Sequence, residues 1–388
     1  MALESDKNQL DFSRFLGEKH VKFCLRFLGM IPQRCQSLDS IRLIIAFFAV
    51  SSLDLMAALW KLPDKQKIIE WIYSLQVVPN KNVGLSPKDC GFRGTVLCSL
   101  NENKNFEICD RAHIAMTYTA LSTLLILGDD LSRVDKTSII ESLKGLQLSD
   151  GSFRPLNVEC ENDMRFLYCA SCICYILNDW SGIDKDRAVR YIKKSINYDG
   201  GIGQGPGLES HGGSTYCAVA TLWLMGEIES ALSPNELKAL KRWLVFRQQW
   251  GFQGRPNKLE DSCYAFWVGA TLKLLNCYHF VNYPKLLHFV LSTQDQIAGG
   301  IAKWPDYLPD MLHTYLGISG LSLYDTGDSS TNPNSDLTLG TSGLSLCDTG
   351  DSSKNTNSAS TQIFSSTVHP ALNISQRAAD FLSELHKQ

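Results

Sequence analysis

Hydrophobic and polar residues follow one plan that recurs five times along the chain. Each copy has a helix that ends in a polar amide, a glycine-centred turn, and an apolar helix that opens on an aromatic residue. The amides are Gln76, Gln147, Asn197, Gln248 and Gln294. From Phe153 onward, successive copies are 49 or 50 residues apart. Such a period predicts helical repeats in which each helix pair needs its neighbours to bury its apolar face.

The repeats and the N-terminal part of the chain together predict an all-α fold. Residues 10–60 carry apolar clusters without strand-like alternation, and no hairpin signal occurs before residue 320. Five repeats and one N-terminal helical unit favour an α–α barrel, or toroid, with inner helices around a central apolar cavity and outer helices around them. Repeats of this length also form open solenoids, and the sequence alone leaves that alternative open.

Composition narrows the class of protein. A chain of 388 residues with 44% hydrophobic residues can form one closed array with a large core. Its formal net charge is −3, so the chain lacks the excess of positive charge that is typical of proteins that bind nucleic acid. The most apolar run, residues 43–50, is much shorter than the ~20 residues that a membrane-spanning helix needs. We therefore expect neither a nucleic-acid partner nor a membrane span.

Cysteine usage indicates the compartment. The 13 cysteines are an odd number, and most lie inside apolar helical stretches. The first residues, Met-Ala-Leu-Glu-Ser-Asp, have neither the basic nor the apolar region of a secretory signal. Reduced thiols and a cytoplasmic location are therefore expected.

A compositional break divides the chain. Residues 324–367 are rich in Ser, Thr, Asn, Asp and Gly, which is typical of a flexible insertion. A stretch that begins at Gly317 recurs from Gly340, as a local duplication. We therefore expect a catalytic α–α barrel domain over residues 1–323, a low-complexity insertion over residues 324–367, and a C-terminal segment with a closing helix over residues 368–388.

Three side chains that can bind a metal share the repeat register. Cys263 and His313 are 50 residues apart, and Asp261 lies two residues before Cys263. Residues one period apart occupy equivalent places in neighbouring units, so these side chains should converge. An oxygen, sulfur and nitrogen set suits Zn²⁺, and three protein ligands leave a fourth position for catalysis. Lone cysteines and histidines are more often core residues, so the register is what favours the metal.

Cationic and hydrogen-bond-donating residues surround this set. They are His211, which is the 50-residue counterpart of Asp261, with Arg165, Arg255, Lys258, Tyr264 and Lys303. A solvated basic rim is the ordinary explanation of such a cluster. The alternative is an anion site, because Arg and Lys together suit phosphate oxygens. A diphosphate beside a thiol-binding metal suggests transfer of an allylic group onto sulfur, with the basic groups stabilising the leaving diphosphate.

Aromatic residues open the apolar helices. Tyr118, Tyr168, Tyr216, Trp267 and Tyr315 are expected to line the cavity, although core packing more often explains such residues. A wide apolar cavity would also accept a long hydrocarbon, with a gain of roughly 0.8 kcal/mol per buried CH₂.

Five short stretches carry a specific resemblance to a known family. They are Asp163-Met-Arg-Phe, Leu208-Glu-Ser-His-Gly-Gly-Ser, Gly254-Arg-Pro-Asn-Lys258, Cys263-Tyr-Ala-Phe-Trp267 and Lys303-Trp-Pro-Asp306. With them, the chain resembles the β subunits of protein prenyltransferases, and among these the β subunits of type I protein geranylgeranyltransferase. The resemblance runs from about residue 10 to residue 323 and resumes at Val368.

The resemblance implies a zinc enzyme. Asp261, Cys263 and His313 match the family's zinc ligands, with one ion per β subunit. Lys303 stands where farnesyl-transferring relatives carry an Asp that helps to place Mg²⁺ on the diphosphate. Because a Lys supplies that positive charge itself, no magnesium requirement is implied.

The resemblance also implies binding sites for the substrates. The diphosphate-binding groups are matched by His211, Arg255, Lys258 and Tyr264, with Arg165 at the mouth. Ile44 matches the position that closes the lipid cavity, where farnesyl relatives have Trp and geranylgeranyl members a small residue. Leu316 stands where the latter usually carry Phe. Phe48 and Leu312 match positions that read the end of the acceptor peptide, and their apolar character suits a C-terminal Leu.

The implied function is that of a catalytic β subunit in a heterodimer with a helical α subunit. It would transfer geranylgeranyl from geranylgeranyl diphosphate to the cysteine of C-terminal CaaX sequences of proteins such as small GTPases. A farnesyl-transferring β subunit and a terpene cyclase of the same barrel class are the rival enzymes. The cyclase needs an acidic motif that lines the barrel. The acidic cluster that resembles such a motif is Asp129, Asp130 and Asp135, and it is predicted to lie in a surface turn. A non-catalytic helical-repeat scaffold is the third rival.

Overall fold

The computed structural model describes residues 13–81, 84–96, 111–324, 364 and 366–387. Fourteen α-helices lie within these residues: α1 (Gly17–Gly29), α2 (Arg42–Leu55), α3 (Lys65–Ser74), α4 (Ile114–Ile126), α5 (Lys136–Leu146), α6 (Met164–Ile176), α7 (Lys185–Lys194), α8 (Gly212–Met225), α9 (Ile228–Ala231), α10 (Pro234–Val245), α11 (Tyr264–Leu274), α12 (Tyr283–Ser292), α13 (Met311–Ser322) and α14 (Gln376–Leu385). Short 3₁₀ helices span Gln33–Ile41, Leu59–Lys61, Pro87–Asp89, Trp180–Gly182 and Tyr278–Phe280.

Six helices form a closed inner ring. In chain order they are α2, α4, α6, α8, α11 and α13; each packs against the next, and α13 packs against α2. Outside them, α1 contacts α2, α3 contacts α4, α7 contacts α8, α10 contacts α11 and α12 contacts α13. Closure of the ring excludes an open solenoid, so the predicted α–α barrel is confirmed.

The two layers differ in how their residues are distributed. In the inner helix α4, every residue except Ala115 is buried, because the ring encloses one side and the outer layer covers the other. In the outer helix α7, only Ala188, Tyr191 and Ile192 are buried, which is one apolar stripe at helical spacing. The repeating amphipathic and apolar helices of the sequence are therefore the outer and inner layers.

The glutamines among the repeated amides join neighbouring units. Oε1 of Gln147 accepts from the backbone N–H of Asp184 at 2.7 Å, and its Nε2 donates to the Asp184 carbonyl at 3.1 Å. Gln248 makes the same pair of bonds with Asn282, both at 2.8 Å. Asp184 and Asn282 cap the N-termini of α7 and α12. Each amide thus fixes the end of one outer helix to the start of the next.

The last amide closes the ring onto the first helix. Oε1 of Gln294 accepts from the backbone N–H of Leu16 at 2.9 Å, and Nε2 donates to the Arg14 carbonyl at 3.1 Å. The buried His20 contacts the same Oε1 through Nε2 at 2.9 Å. Its Nδ1 accepts from the backbone N–H of Gly300, also at 2.9 Å. Helix α1 is therefore attached to the fifth repeat.

Strand pairing is confined to two short antiparallel pairs in the described part of the chain. β1 (Gln76–Val77) pairs with β2 (Gly91–Phe92), and β3 (Val368–His369) pairs with β4 (Ile374–Ser375). The first pair lies in the turn of the first repeat, and later turns make single bridges such as Gln147 with Phe153. The sequence did not predict these pairs, because two residues are too few to produce an alternating pattern. The all-α class is unaffected.

The C-terminal segment blocks one end of the ring. We call residues 368–375 the plug. Tyrosine hydroxyls from four inner helices donate to consecutive plug carbonyls: Tyr216 to Pro370, Tyr168 to Ala371, Tyr118 to Leu372 and Tyr315 to Asn373, at 2.6–3.0 Å. These rings were expected to line a cavity for ligand. The structure shows that their hydroxyl groups hold the plug.

The insertion predicted over residues 324–367 lies outside the described residues except for positions 324, 364, 366 and 367, and stays a prediction. No helix within the described ranges has the length and apolar character that crossing a membrane requires.

Candidate metal centre and anion site

The three predicted metal ligands meet at the start of two adjacent inner helices. Asp261 and Cys263 immediately precede α11, and His313 lies in the first turn of α13. One ligand atom from each lies within 4.8 Å of the others. Oδ1 of Asp261 is 3.3 Å from Nε2 of His313. The convergence expected from the repeat register is therefore observed, whereas the metal itself stays a prediction.

A fourth residue orients the imidazole. Oδ2 of Asp310 lies 2.7 Å from Nδ1 of His313, and Oδ1 of Asp310 accepts from the His313 backbone N–H at 2.9 Å. A neutral imidazole that donates from Nδ1 presents its Nε2 lone pair to the metal position. We did not single out Asp310 in the sequence. The available signal was a carboxylate three residues before His313, at the start of an inner helix.

The electrostatics of the set favour a cation between its members. Burial, and then Asp261, raise the pKa of the Cys263 thiol well above its ordinary value. Burial alone would lower the pKa of His313, but hydrogen bonds to Asp261 and Asp310 outweigh it and raise the value to about 9. Carboxylates thus favour positive charge at this point. The donor set of oxygen, sulfur and nitrogen fits Zn²⁺.

A recurrent capping side chain explains why functional residues gather at one end of the ring. Before or within the first turn of five inner helices, a side chain accepts a hydrogen bond from a backbone N–H two or three residues later. The acceptors are His113, Asp163, His211, Asp261 and Asp310. These inner helices begin at one end of the ring, where the N-terminal ends of their dipoles favour negatively charged ligands.

His211 and Tyr264 form the hydrogen-bonded centre of the predicted anion site. Nδ1 of His211 accepts from the Gly213 backbone N–H at 3.1 Å, so a neutral ring carries its proton on Nε2. That Nε2 lies 2.9 Å from the Tyr264 hydroxyl, which leaves the phenolic proton for a ligand. Burial, and then Arg255, lower the pKa of His211. A side chain at Gly254 would collide with the Tyr264 ring, so the loop requires glycine for this approach.

The predicted cations have different surroundings. Arg255 forms an ion pair with Glu209. Lys258 is exposed and forms no ion pair within the described residues. Nζ of Lys303 lies 3.7 Å from Oδ2 of Asp261 and 4.4 Å from the Trp304 ring centroid, which places this ammonium group beside the metal ligands.

Arg165 lies in α6, the inner helix next to α8, which His211 precedes. Its guanidinium donates to Asp163 at 2.6 Å and to Glu161 at 3.1 Å. Gln204 of the next turn donates to the same Asp163 carboxylate at 2.6 Å. The sequence analysis assigned no roles to these acidic partners, which lie only two and four residues before Arg165 and so are not marked by the repeat period.

The residues predicted to contact lipid and peptide lie next to the plug-bonding tyrosines. Phe48 stacks on Tyr315 with ring centroids 5.7 Å apart, and Trp267 packs against Tyr216 at 5.1 Å. Ile44 lies one turn before Phe48 on the same face of α2 and is also partly exposed. We call Ile44, Phe48 and Trp267 the apolar wall, because all three are partly exposed and two of them contact plug-bonding tyrosines.

Two further predicted residues differ in exposure. Leu312 is 38% exposed beside His313, whereas Tyr168 is buried with its hydroxyl on the Ala371 carbonyl. Their roles in peptide and lipid binding stay predictions.

Comparison with known proteins agrees with this geometry. Residues 15–374 match the family described as the prenyltransferase alpha-alpha toroid domain. The chain belongs to this family. The geranylgeranyl transferase type-1 subunit beta of Arabidopsis thaliana is 39% identical over 324 residues, covering 81% of this chain and 86% of the relative. The protein of the same name from Dictyostelium discoideum is 41% identical over 318 residues, covering 79% and 90%.

Other prenyltransferase subunits are less similar. The protein farnesyltransferase subunit beta of Schizosaccharomyces pombe is 30% identical over 326 residues, covering 79% of this chain and 77% of the relative. Among solved structures, Candida albicans protein geranylgeranyltransferase-I complexed with GGPP matches with a TM-score of 0.76 and 25% identity, covering 96% of this chain and 99% of that one. The resemblance to type I geranylgeranyl transferase β subunits is therefore confirmed, and with it a prenyltransferase class of enzyme.

Proposed function

We propose that this prenyltransferase subunit transfers geranylgeranyl from geranylgeranyl diphosphate to the cysteine thiol of C-terminal CaaX sequences, in which X is often Leu. The observation that carries the proposal is the meeting of Asp261, Cys263 and His313 beside the His211–Tyr264 pair. A thiol-binding metal position next to an anion site suits a transfer in which the lipid carbon bonds to sulfur while its bond to the diphosphate breaks and diphosphate leaves.

Asp261, Cys263 and His313 would hold one Zn²⁺. When bound there, the ion would keep the acceptor cysteine as a thiolate at neutral pH. Asp310 supports the set by fixing the orientation of the His313 ring.

The chain's own donors act on the leaving group. The Tyr264 hydroxyl, held by Nε2 of His211, donates to a diphosphate oxygen, while Arg255 and Lys258 supply positive charge. These interactions strengthen as charge develops on the leaving diphosphate, so they lower the barrier. Lys303 adds an ammonium group beside the metal ligands, and for this reason we propose that no Mg²⁺ is needed.

The apolar wall and its neighbours would contact the isoprenoid chain and the end of the acceptor peptide. Trp267 and Tyr168 would contact the isoprenoid, with Arg165 at the mouth of the site and Ile44 and the buried Leu316 setting the length of lipid that fits. Phe48 and the partly exposed Leu312 would contact the end of the acceptor peptide, and an apolar C-terminal residue suits them.

We further propose that the chain works in the cytoplasm as a heterodimer with a prenyltransferase α subunit and modifies proteins such as small GTPases. The Arabidopsis and Dictyostelium relatives are named as β subunits, which supports an unlike partner. A metal-bound thiol and thiol acceptors need a reducing compartment, and the ten described cysteines are free.

The test is prenyl transfer by the co-expressed heterodimer onto a Cys-a-a-Leu peptide, with the 20-carbon and 15-carbon diphosphates compared. We expect thioether formation with preference for the 20-carbon donor. Preference for the 15-carbon donor would assign the chain to the farnesyl-transferring subunits. The S. pombe farnesyltransferase subunit, with 30% identity, is a relative of that kind. No transfer from either donor would overturn the proposal.

A further inference from the structure

Glu209 forms an ion pair with Arg255 across two neighbouring repeat units. Nη1 of Arg255 donates to Oε2 of Glu209, and the two residues are 46 positions apart in the chain. Solvent reaches 39% of the Arg255 side chain and 58% of the Glu209 side chain. An ion pair so exposed is weak, so the Arg255 guanidinium remains available to a stronger anion.

The loop that carries Glu209 is held on both sides. Nδ2 of Asn197 donates to the Leu208 carbonyl at 2.7 Å. The Ser210 hydroxyl donates to Oδ1 of Asp199 at 2.6 Å. These bonds hold the residues immediately before and after Glu209, so the loop keeps Glu209 on the side of the turn that faces Arg255.

The loop that carries Arg255 is held against the anion site. The Gly254 carbonyl accepts from the Gly212 backbone N–H at 2.7 Å, at the start of α8. His211 immediately precedes that residue, and its ring contacts Tyr264. A bound diphosphate that reaches the His211–Tyr264 pair therefore also reaches Arg255.

Glu209 occupies a distinct position among the acidic residues at this face. Of the four groups matched to the diphosphate, Arg255 alone forms an ion pair within the described part of the chain. The carboxylate beside Lys303 belongs to Asp261, which has a place in the metal set. Glu209 is neither a metal-set residue nor a helix cap, so its charge can act on the diphosphate site through Arg255.

We propose that Glu209 is a displaceable counter-ion that positions Arg255 and weakens the binding of diphosphate. A diphosphate carries several negative charges and outcompetes one carboxylate for a guanidinium. The displaced carboxylate then lies near the bound anion and repels it. Glu209 thereby favours release of inorganic diphosphate after transfer. This inference rests on the proposed function.

The experiment measures inorganic diphosphate as a competitor of geranylgeranyl diphosphate on the zinc-loaded heterodimer at constant ionic strength. Glu209→Gln keeps the size of the side chain and removes its charge, and should tighten inorganic diphosphate binding about three- to tenfold. Glu209→Asp should stay close to wild type. The exposed Glu229 of α9 supplies the matched control, because Glu229→Gln removes the same charge away from the site.

A double variant tests whether the effect passes through Arg255. In an Arg255→Ala background, Glu209→Gln should change diphosphate binding by less than twofold. Unchanged or weaker diphosphate binding by Glu209→Gln overturns the inference, as does tightening that persists without Arg255. These outcomes leave the proposed function intact. If the wild-type heterodimer binds neither inorganic diphosphate nor geranylgeranyl diphosphate, the proposed function is overturned, and this inference with it.

Discussion

Oδ2 of Asp310 lies 2.7 Å from Nδ1 of His313, at the start of the last inner helix. The same carboxylate also caps that helix, through Oδ1 and the His313 backbone N–H. One side chain thus caps the N-terminus of the helix and sets which nitrogen of the imidazole faces Asp261. The helix-capping position of the repeat has here become part of the candidate metal centre.

Asp310→Asn should weaken zinc binding about 10- to 100-fold, which is the usual effect of losing an orienting partner of a histidine ligand. Asparagine can still accept the capping hydrogen bond, but its amide group cannot hold the imidazole as the carboxylate does. Competition with a chelator measures the zinc affinity. Asp184→Asn is the matched control, because Asp184 caps α7 without contacting a metal ligand. Wild-type zinc affinity in Asp310→Asn would show that the contact does not orient the ligand.

Lys303→Asp should make the rate of transfer depend on Mg²⁺. Nζ of Lys303 lies 3.7 Å from a carboxylate of the metal set, and a carboxylate at this position could recruit a cation where the ammonium group stood. Initial rates are measured with and without Mg²⁺. Lys303→Ala provides the control and should be slow under both conditions. If the wild-type rate already requires Mg²⁺, the role proposed for Lys303 is wrong.

Periodicity was sufficient to predict the layer of apolar inner helices and the meeting of Cys263 with His313, because equivalent positions on neighbouring repeats must lie side by side, whereas it left open whether the array closes into a ring. It did not predict the attachment of Gln294 to Leu16, 278 residues away, since closure depends on the accumulated rotation of all units. The sequence also did not predict the hydrogen bonds between the tyrosines and the plug. Its carbonyl groups accept hydrogen bonds irrespective of which side chains they carry, so its residue types do not reveal these contacts.

Acidification should destabilise the folded chain through His20. Burial lowers the pKa of His20 to about 4, against an ordinary value of 6.5. Because the unfolded state binds the proton more readily, His20's contribution to stability is complete above pH 6.5 and is lost as pH falls from 6.5 to 4. The shift corresponds to about 3 kcal/mol. Protonated Nδ1 would also face the Gly300 backbone N–H from which it accepts.

Urea unfolding at several pH values measures this contribution. His20→Gln should be less stable than wild type at pH 7.5 and should lose less stability on acidification. Burial also lowers the pKa of His113 and of His369 to about 4. Only the difference between wild type and variant therefore reports on His20. His288→Gln makes the same substitution at an exposed histidine and serves as the control. Equal acid sensitivity in wild type and His20→Gln would contradict the assignment.

Replacing residues 326–362 with a short Gly/Ser linker should leave folding and transfer close to wild type. We propose that residues 324–367 are an insertion between the barrel and its C-terminal segment. The backbone N–H of Val368 donates to the Ser322 hydroxyl at 3.2 Å, so the two ends of the insertion already meet. Thermal unfolding and prenyl transfer are the measurements. A large loss of α-subunit association in this variant would instead make the insertion a partner surface.

Lipid length is the property that one side chain, Ile44, is expected to control. It lies one turn from Phe48 on the face of α2 that forms the apolar wall. A pocket discriminates weakly when one methylene is at stake, but an isoprene unit of five carbons is worth several times the roughly 0.8 kcal/mol of a CH₂. We expect wild type to prefer the 20-carbon donor and Ile44→Trp to shift the preference toward the 15-carbon donor by at least about tenfold. The shift should arise as weaker use of the longer lipid, because indole bulk excludes its last unit, and use of the shorter lipid should change little. Competition between the two diphosphates on a Cys-a-a-Leu peptide measures it, with Ile44→Ala as the control that should keep the 20-carbon preference. An Ile44→Trp variant with the wild-type ratio would show that Ile44 does not limit the length of the lipid.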